Sequence, residues 1–483
     1  MKKFTILSLL VSLFALTVNA QEEQRVSAKH EAKVEKKAAK GEEYRRSSLC
    51  MIMIEDPSMP KKDVIREAFF AAETPSKYND HNVGKRAFSI TDIKVNPDDI
   101  RRLAEAEMAG RIAEKMAVDY AATGNAPAAV ASSGSINTAN VDEVAVKALK
   151  FMGDQDLAYE LVRKWFFDQS SGKNTMDLVQ LRGLVDASAA SIADTETALD
   201  PKGLLMDAGV DLVNNTFVVA SRFKYMSKDE LFAEISAISL AVAKELDKRN
   251  GNELASLAAK TTLIAVKAAM GDGYFVRSNS FLFQLHWDEE VENSVWNSWD
   301  SPADWIANKD KFTLKYIGME KGWANTKAGI FSNLPEGQLV RAATVNAMNN
   351  VLAKLEKRYE VFKTKVPLMV YNPPVPEDSG KKKAPKVEQV LYAKIGVKEG
   401  LSGGEKFEVL EAKLDKKTGV TTYSKKGVIK VSKGKVWDNT YNPEKGYDQH
   451  VEELAVGEMP KNATYFDGGK ASFYEGLLLR QIK

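Results

Sequence analysis

Two hydrophobic rhythms alternate along the chain, and each predicts an element. Leu49 to Ile54 is a short continuous apolar run, which reads as a buried strand. Pro60 then opens a helix in which Val64, Ile65, Ala68 and Phe69 make one apolar face. "TPSKYNDHNVG" reads as a polar turn and Phe88 to Val95 as a second strand. Asn96 caps the next helix, with Pro97 in its first turn and Asp98 and Asp99 meeting the dipole. Its buried stripe is Ile100, Leu103, Ile112 and Met116. After a low-complexity loop, Ala121 to Asn140, Asp154 reads as the cap of a helix carrying Leu157, Leu161 and Trp165 on one side. Asn174 and Asp200 read as two further caps.

An alternating pair of strands follows, split by an insertion. Phe217, Val219, Phe223 and Tyr225 share one face of "NNTFVVASRFKYM", as do Phe275, Phe281, Phe283, Leu285 and Trp287 in "GYFVRSNSFLFQLHW". Between them Asp229 to Met270 is helical, broken by Asn250-Gly251-Asn252 into a hairpin. Leu231, Ile235, Ile238, Val242 and Leu246 form a stripe on its first helix, and Leu257, Leu263, Ile264 and Val266 an apolar side on its second. A plain two-strand sheet needs only a short turn here. The insertion therefore either packs on the core or docks a partner, and Glu234 and Glu245 beside Lys244 and Lys248 favour a protein over anionic lipid.

"KFTLKYIGM" reads as a third strand, and Pro335 opens a long helix with Leu339, Met348, Leu352, Leu355, Tyr359 and Phe362 inward. Tyr371 to Lys386 is rich in proline and lysine and reads as a linker. Beyond it short alternating runs and glycine-bounded turns predict a small β-barrel, SH3-like or OB-like. The expected plan is thus α+β: a mixed or antiparallel sheet with packed helices over 44–370, a linker over 371–386 and a small β-domain over 387–483.

Composition narrows the class. The chain is 44% hydrophobic and 28% charged with a formal net charge of +2, which is globular and gives no bulk attraction for nucleic acid. Lys2 and Lys3 precede an apolar run from Ile6 to Val18 and a small-residue cleavage site, Val18-Asn19-Ala20, so 1–20 reads as a secretory signal peptide. The charged stretch 21–43 reads as a spacer. The single cysteine, Cys50, excludes an intramolecular disulfide and reads as a buried structural thiol.

Candidate chemistry is sparse. Leu401-Ser402-Gly403-Gly404-Glu405 nearly spells the signature of ABC-type ATPases, but no G-x-x-x-x-G-K-[ST] loop accompanies it, and a glycine turn between strands explains it. No nucleotide or other cofactor is expected. The four histidines, His30, His81, His286 and His450, do not cluster at metal-ligand spacing. Asn79-Asp80-His81-Asn82 reads as Asx-type turns before a cation site. Asp288, Glu289 and Glu290 read as a solvated strand end before an acid/base pair. The most specific binding signal is aromatic: Trp287, Trp296, Trp299, Trp305 and Trp323, with Tyr316 near them in sequence, suit either a sugar or peptide platform or the packing of a sheet edge.

"TPSKYNDHNVG", "DLVNNTFVV", "FLFQLHWDEE", "KFTLKYIG", "WDNTYNP" and "FYEGLLLRQIK" together resemble a family of uncharacterised exported proteins of Bacteroidales-type bacteria. The resemblance implies an exported cell-envelope protein with this domain order, and transfers no catalytic residue. "GLSGGEKFEV" with "GVIKV" is also similar to small β-modules of envelope-assembly proteins. The expected function is a non-catalytic periplasmic or outer-membrane-associated protein that binds or scaffolds envelope components, with peripheral membrane contact open. Two alternatives stand beside it: a carbohydrate- or peptide-binding module using the tryptophans, or a hydrolase with an unrecognised acid/base pair.

Overall fold

The computed structural model describes residues 47–75, 77–84, 86–105, 141–186, 212–269, 273–327, 334–371, 389–414, 421–442, 460–470, 472–474 and 476–482. The expected signal peptide, charged spacer, low-complexity loop and the linker from 372 on, with Ile112, Met116 and Asp200, lie outside them. The chain is α+β, built chiefly on two sheets, with one long helix packed on the first and bonded to loops beside the second.

The first sheet contains β1 (Ser48–Glu55), β2 (Asn79–Asp80), β3 (Ala87–Ser89), β6 (Thr216–Met226), β7 (Gly273–Leu285) and β8 (Leu314–Lys327), in the order β2-β1-β6-β7-β8 with β3 also on β1. β1 runs parallel to β6, and the β6-β7-β8 ladders are antiparallel, so the sheet is mixed. The strand expected from Phe88 to Val95 is only the short β3, because Ile90 turns away after the pairing of Glu55 with Ser89. Alternation divides the sheet's two faces. Leu49, Met51, Met53, Phe217, Val219 and Leu282 face one core with α1 (Lys62–Ala71) and α9 (Glu336–Arg358). Cys50, Ile52, Ile54, Val218, Ala220, Phe281 and Phe283 face the other, under α2 (Glu143–Asp154) and α3 (Leu157–Phe166).

Local signals explain most helix ends. Asn96 accepts from Asp99 N–H at 2.9 Å while the Asp99 carboxylate accepts from Asn96 N–H at 3.0 Å, a reciprocal cap. Asp154 was expected to cap the helix carrying Trp165, but it closes α2, and α3 starts after the left-handed Asp156 instead. Asn174 caps no helix; it lies on β5 (Lys173–Asn174), paired with β4 (Phe167–Asp168), and its amide donates to the Trp299 carbonyl at 2.6 Å.

The second sheet is antiparallel throughout: β9 (Lys365–Pro367), β10 (Met369–Tyr371), β11 (Val390–Ala393), β12 (Lys406–Leu414), β13 (Thr421–Val431), β14 (Thr464–Asp467) and β15 (Leu478–Gln481), ordered β10-β11-β14-β13-β12-β15-β9. It therefore begins at Lys365, upstream of the boundary expected at Tyr371, because β9 pairs with β15 and β10 with β11. Among the described residues no ladder joins β9 to β10, so the expected closed barrel is not seen; the path of hydrogen bonds is open.

Helix α9 was expected to be amphipathic with one inward stripe. Its buried residues instead include Leu339, Val340, Ala342, Ala343, Thr344, Val345, Ala347, Met348, Asn349, Val351, Leu352, Ala353 and Leu355, most of its circumference. A helix apolar nearly all round is one that must be enclosed. It reaches β8 closely at Gly322, where an added Cβ would stand 2.8 Å from the Val351 backbone nitrogen and 3.0 Å from the Ala347 carbonyl oxygen. These are helix backbone atoms, which no rotamer change can move aside. Gly322→Ala is expected to cost about 1–3 kcal/mol by overpacking, read as a lower urea midpoint with an unchanged slope. An unchanged midpoint would show that helix and strand are not seated this way.

Candidate functional site

Four of the five candidate tryptophans converge, and Phe166 is the reason. Its fully buried ring lies with its centroid 6.0 Å from Trp287, 6.0 Å from Trp296, 5.8 Å from Trp299 and 6.3 Å from Trp305, mostly edge to face. α7 (Glu289–Asn297) carries Trp296 and α8 (Pro302–Ala307) carries Trp305, and side-chain caps from Asp288 and Ser301 start these helices. The cap role of Asp288, accepting from Val291 N–H at 2.9 Å, explains the acidic run after β7. Trp323 does not join. It sits on β8 against Met226, Leu231 and Phe275, and Tyr316 packs on Phe283 in the core under α2 and α3.

Within the cluster only Trp296 is well exposed, at 36%, with Trp299 tilted 5.0 Å from it. The shallow open trough on α7 beside it is lined by Glu290, Asn293, Ser294, Asn297 and Lys311. Hence the cluster is chiefly a core, with one aromatic edge beside amide and hydroxyl groups that suit a polar ligand. His286 is half exposed, with Nε2 3.1 Å from the Asp288 carboxylate.

The polar turn is structural. Asp80 Oδ1 accepts from Asn82 N–H at 3.0 Å, and Asn82 Oδ1 accepts from Met51 N–H at 2.8 Å, pinning the loop to β1. His81 is fully buried: Nε2–H donates to the Leu161 carbonyl at 2.9 Å, and Nδ1 accepts from Arg182 Nη1 at 2.9 Å. Arg182, on α4 (Asp177–Asp186), also donates to Ser48 Oγ and the Asp80 carbonyl, each at 2.9 Å, and lies 4.4 Å over the Trp165 ring. Nothing in the sequence marks Arg182, because its partners come from three other elements, β1, the β2 segment and α3. Burial, then the charge of Arg182, holds His81 well below its ordinary value. Burial likewise pushes the Cys50 thiol up to about 11, so it stays protonated and unreactive.

The ATPase-like pentapeptide is a turn closed on itself. Gly403 and Gly404 have φ of +106° and +107°, and the Glu405 carboxylate accepts from the N–H groups of Ser402 and Gly403, each at 2.9 Å. Those donors are turned to an internal anion. Among the described residues no group of three or more His, Cys, Asp or Glu side chains could hold a metal, and no helix is long and apolar enough to cross a membrane.

The inserted hairpin offers a different surface. α5 (Lys228–Asn250) starts with a Ser227–Glu230 capping box and ends at the left-handed Gly251; Asp247 then caps α6 (Leu254–Ala269), accepting from Ala255 N–H at 2.7 Å and Ser256 N–H at 2.9 Å. At its base Leu231, Ile235 and Leu263 are buried with Met226 and Phe275, so the stripe of α5 does pack on the sheet there. Beyond the sheet Leu246, Leu254, Leu257 and Ile264 are 45%, 68%, 63% and 73% exposed. The structure thus shows core packing at the base of the hairpin and an exposed apolar side on α6. The side chains of Ile238 and Val266 lie outside the described residues.

No known protein family and no curated protein matches the chain.

The buried histidine gives a pH dependence with a definite sign. His81 is neutral in the fold and takes a proton at about 6.5 when unfolded. The unfolded chain therefore binds more protons, and stability is full above that value and falls as pH drops below it. His81→Gln is expected to lower Tm at pH 7.5 yet flatten its fall between pH 7 and 5. An equally steep fall in the variant would show that His81 is not the titrating group.

Proposed function

We propose that this chain is an exported, non-catalytic cell-envelope protein that binds or scaffolds other envelope components. What carries the reading is the hairpin: four large aliphatic side chains stand out on an element inserted between two adjacent strands. An apolar cluster held out on a capped, rigid hairpin costs solubility unless something covers it. The stretch 1–20, read as a signal peptide, and the resemblance to exported Bacteroidales-type proteins support a periplasmic or outer-membrane-associated place. No nucleotide, metal or nucleic acid enters the reading.

The C-terminal sheet supports a scaffolding role. β9 and β10 lie at opposite ends of its strand order, yet only Leu368 separates them in the chain. Such a sheet must curl back toward itself, which is the basis for reading it as a small barrel-like module of the SH3-like or OB-like kind. A second reading rests on Trp296: its exposed ring beside Asn293 and Asn297 suits a glycan or peptide, with Trp299 supporting it.

The test separates these surfaces in the native envelope. Replacing Leu254, Leu257 and Ile264 together by lysine is expected to leave folding intact and release the protein from its envelope assemblies on fractionation. Trp296→Ala is expected to leave that association unchanged. Loss of association with Trp296→Ala alone, or saturable glycan binding that it abolishes, would favour the second reading. Unaltered association of the triple variant would remove the hairpin from the account.

A further inference from the structure

The exposed face of α6 has a spacing that its own fold does not use. Leu254, Leu257, Thr261 and Ile264 step by three, four and three residues, the a/d rhythm of a helix meant to pack along another helix. This seam faces away from α5, which α6 meets with the opposite side carrying Leu263. Ala258 and Ala265 border it on one edge, and both are exposed. Small residues seven apart allow two helix backbones to approach closely. The other edge carries Glu253, Lys260 and Lys267, all exposed, with Lys267 near Asp229 at 3.2 Å across the hairpin surface.

That edge is self-complementary in one orientation. When two copies of α6 pack antiparallel with Leu254 against Ile264 and Leu257 against Thr261, Glu253 of one copy falls beside Lys267 of the other, twice by symmetry. Lys260 then lies beside its own symmetry mate at the axis. A bilayer would favour basic residues along the edge, and the acid at Glu253 does not fit it. A parallel pairing would set the edge of Glu253, Lys260 and Lys267 against the Ala258 and Ala265 edge of the other copy, leaving those charges without partners.

Resting on the reading of the hairpin as a docking element, we propose that its occupant is a second copy of this chain. The α6 helices pack antiparallel about a twofold axis near Lys260, and the two hairpins form a four-helix contact. Leu254, Leu257, Thr261 and Ile264 form its apolar centre, and the Glu253–Lys267 pairs fix direction. The contact is isologous and closes, so it yields a dimer and not a filament.

Sedimentation velocity of the full mature chain tests this. The wild type is expected to sediment as a dimer, and L257E with I264E to weaken it by at least about tenfold without lowering Tm, since both side chains are exposed in the fold. K260Q is expected to tighten the dimer by removing the like charge at the axis. Mild oxidation of mixed E253C and K267C chains is expected to join one chain of each kind; the buried Cys50 stays out of the reaction. A monomeric wild type, a dimer indifferent to L257E with I264E, or crosslinking of E253C only to itself would overturn the proposal. The docking reading fails separately. If the wild type is monomeric, but the double variant loses cosedimentation with phosphatidylethanolamine–phosphatidylglycerol vesicles or its envelope association, the face still docks and only the occupant is wrong. If the double variant changes none of these readouts, both readings fall.

Discussion

Everything else in the fold depends on enclosing one helix. α9 spans 23 residues and buries most of its circumference, so neither sheet alone can shelter it. Val340, Ala343, Ala347, Met348, Leu352 and Leu355 go to the first sheet's core. Its narrow polar edge is used as fully as its apolar sides. Asn350 donates to the Trp323 carbonyl at 3.0 Å and Lys354 to the Lys321 carbonyl at 2.7 Å, both on β8. Asn346 exchanges hydrogen bonds of 3.0 and 3.3 Å with the Tyr441 backbone, and Lys357 donates to the Gly400 carbonyl at 3.0 Å, both in the C-terminal half. The chain leaves α9 through one 3-10 turn, Glu360–Phe362, into β9 and β10, so helix and second sheet are neighbours in sequence as well as joined by these bonds. At the seam a cavity of about 190 Å³ remains, with the Lys77–Glu356 ion pair, Val366 and Phe407 among its walls.

With the sheets fixed on α9, the projecting parts of the molecule acquire definite positions. β6 and β7 form the centre of the first sheet, and the hairpin leaves from their common end. Its base is clamped by Met226 and Phe275, and its tip is held by the Asp247 cap. A hairpin anchored at one end and capped at the other is rigid enough to present leucines without burying them. The tryptophan cluster lies at the opposite end of β7, after Leu285, so the two candidate surfaces belong to different ends of one strand. The buried His81–Arg182 network stabilises neither surface directly; it ties the edge of β1 to α3 and α4.

Much of the architecture was legible where the signal is local. The strand pair around the insertion, the helix break at Asn250-Gly251-Asn252, the Asn96 cap and the turn at Gly403 follow from alternation and turn chemistry within a few residues. The misses are non-local. Asp154 reads as a cap, but packing ends α2 there and starts α3 after Asp156, whose side chain makes no cap bond. Pro367 reads as lying just past the end of the long helix, and the structure puts it on β9, an edge strand where a missing donor is tolerated. The tryptophans were legible as a group but not in their roles: Phe166, more than a hundred residues upstream, makes four of them a core, and β8 carries Trp323 to another cluster. Arg182 left no sequence trace because its site exists only once four elements have met.

The central claim is that α9 makes one cooperative body of the two sheets. Hydrogen exchange followed by mass spectrometry across a urea series tests it most directly. The account predicts that amides of β6 and β7 in the first sheet and of β12 and β13 in the second lose protection at the same urea concentration, together with those of α9. Loss of protection in β12 and β13 at clearly lower urea, while α9 and β7 stay protected, would contradict it.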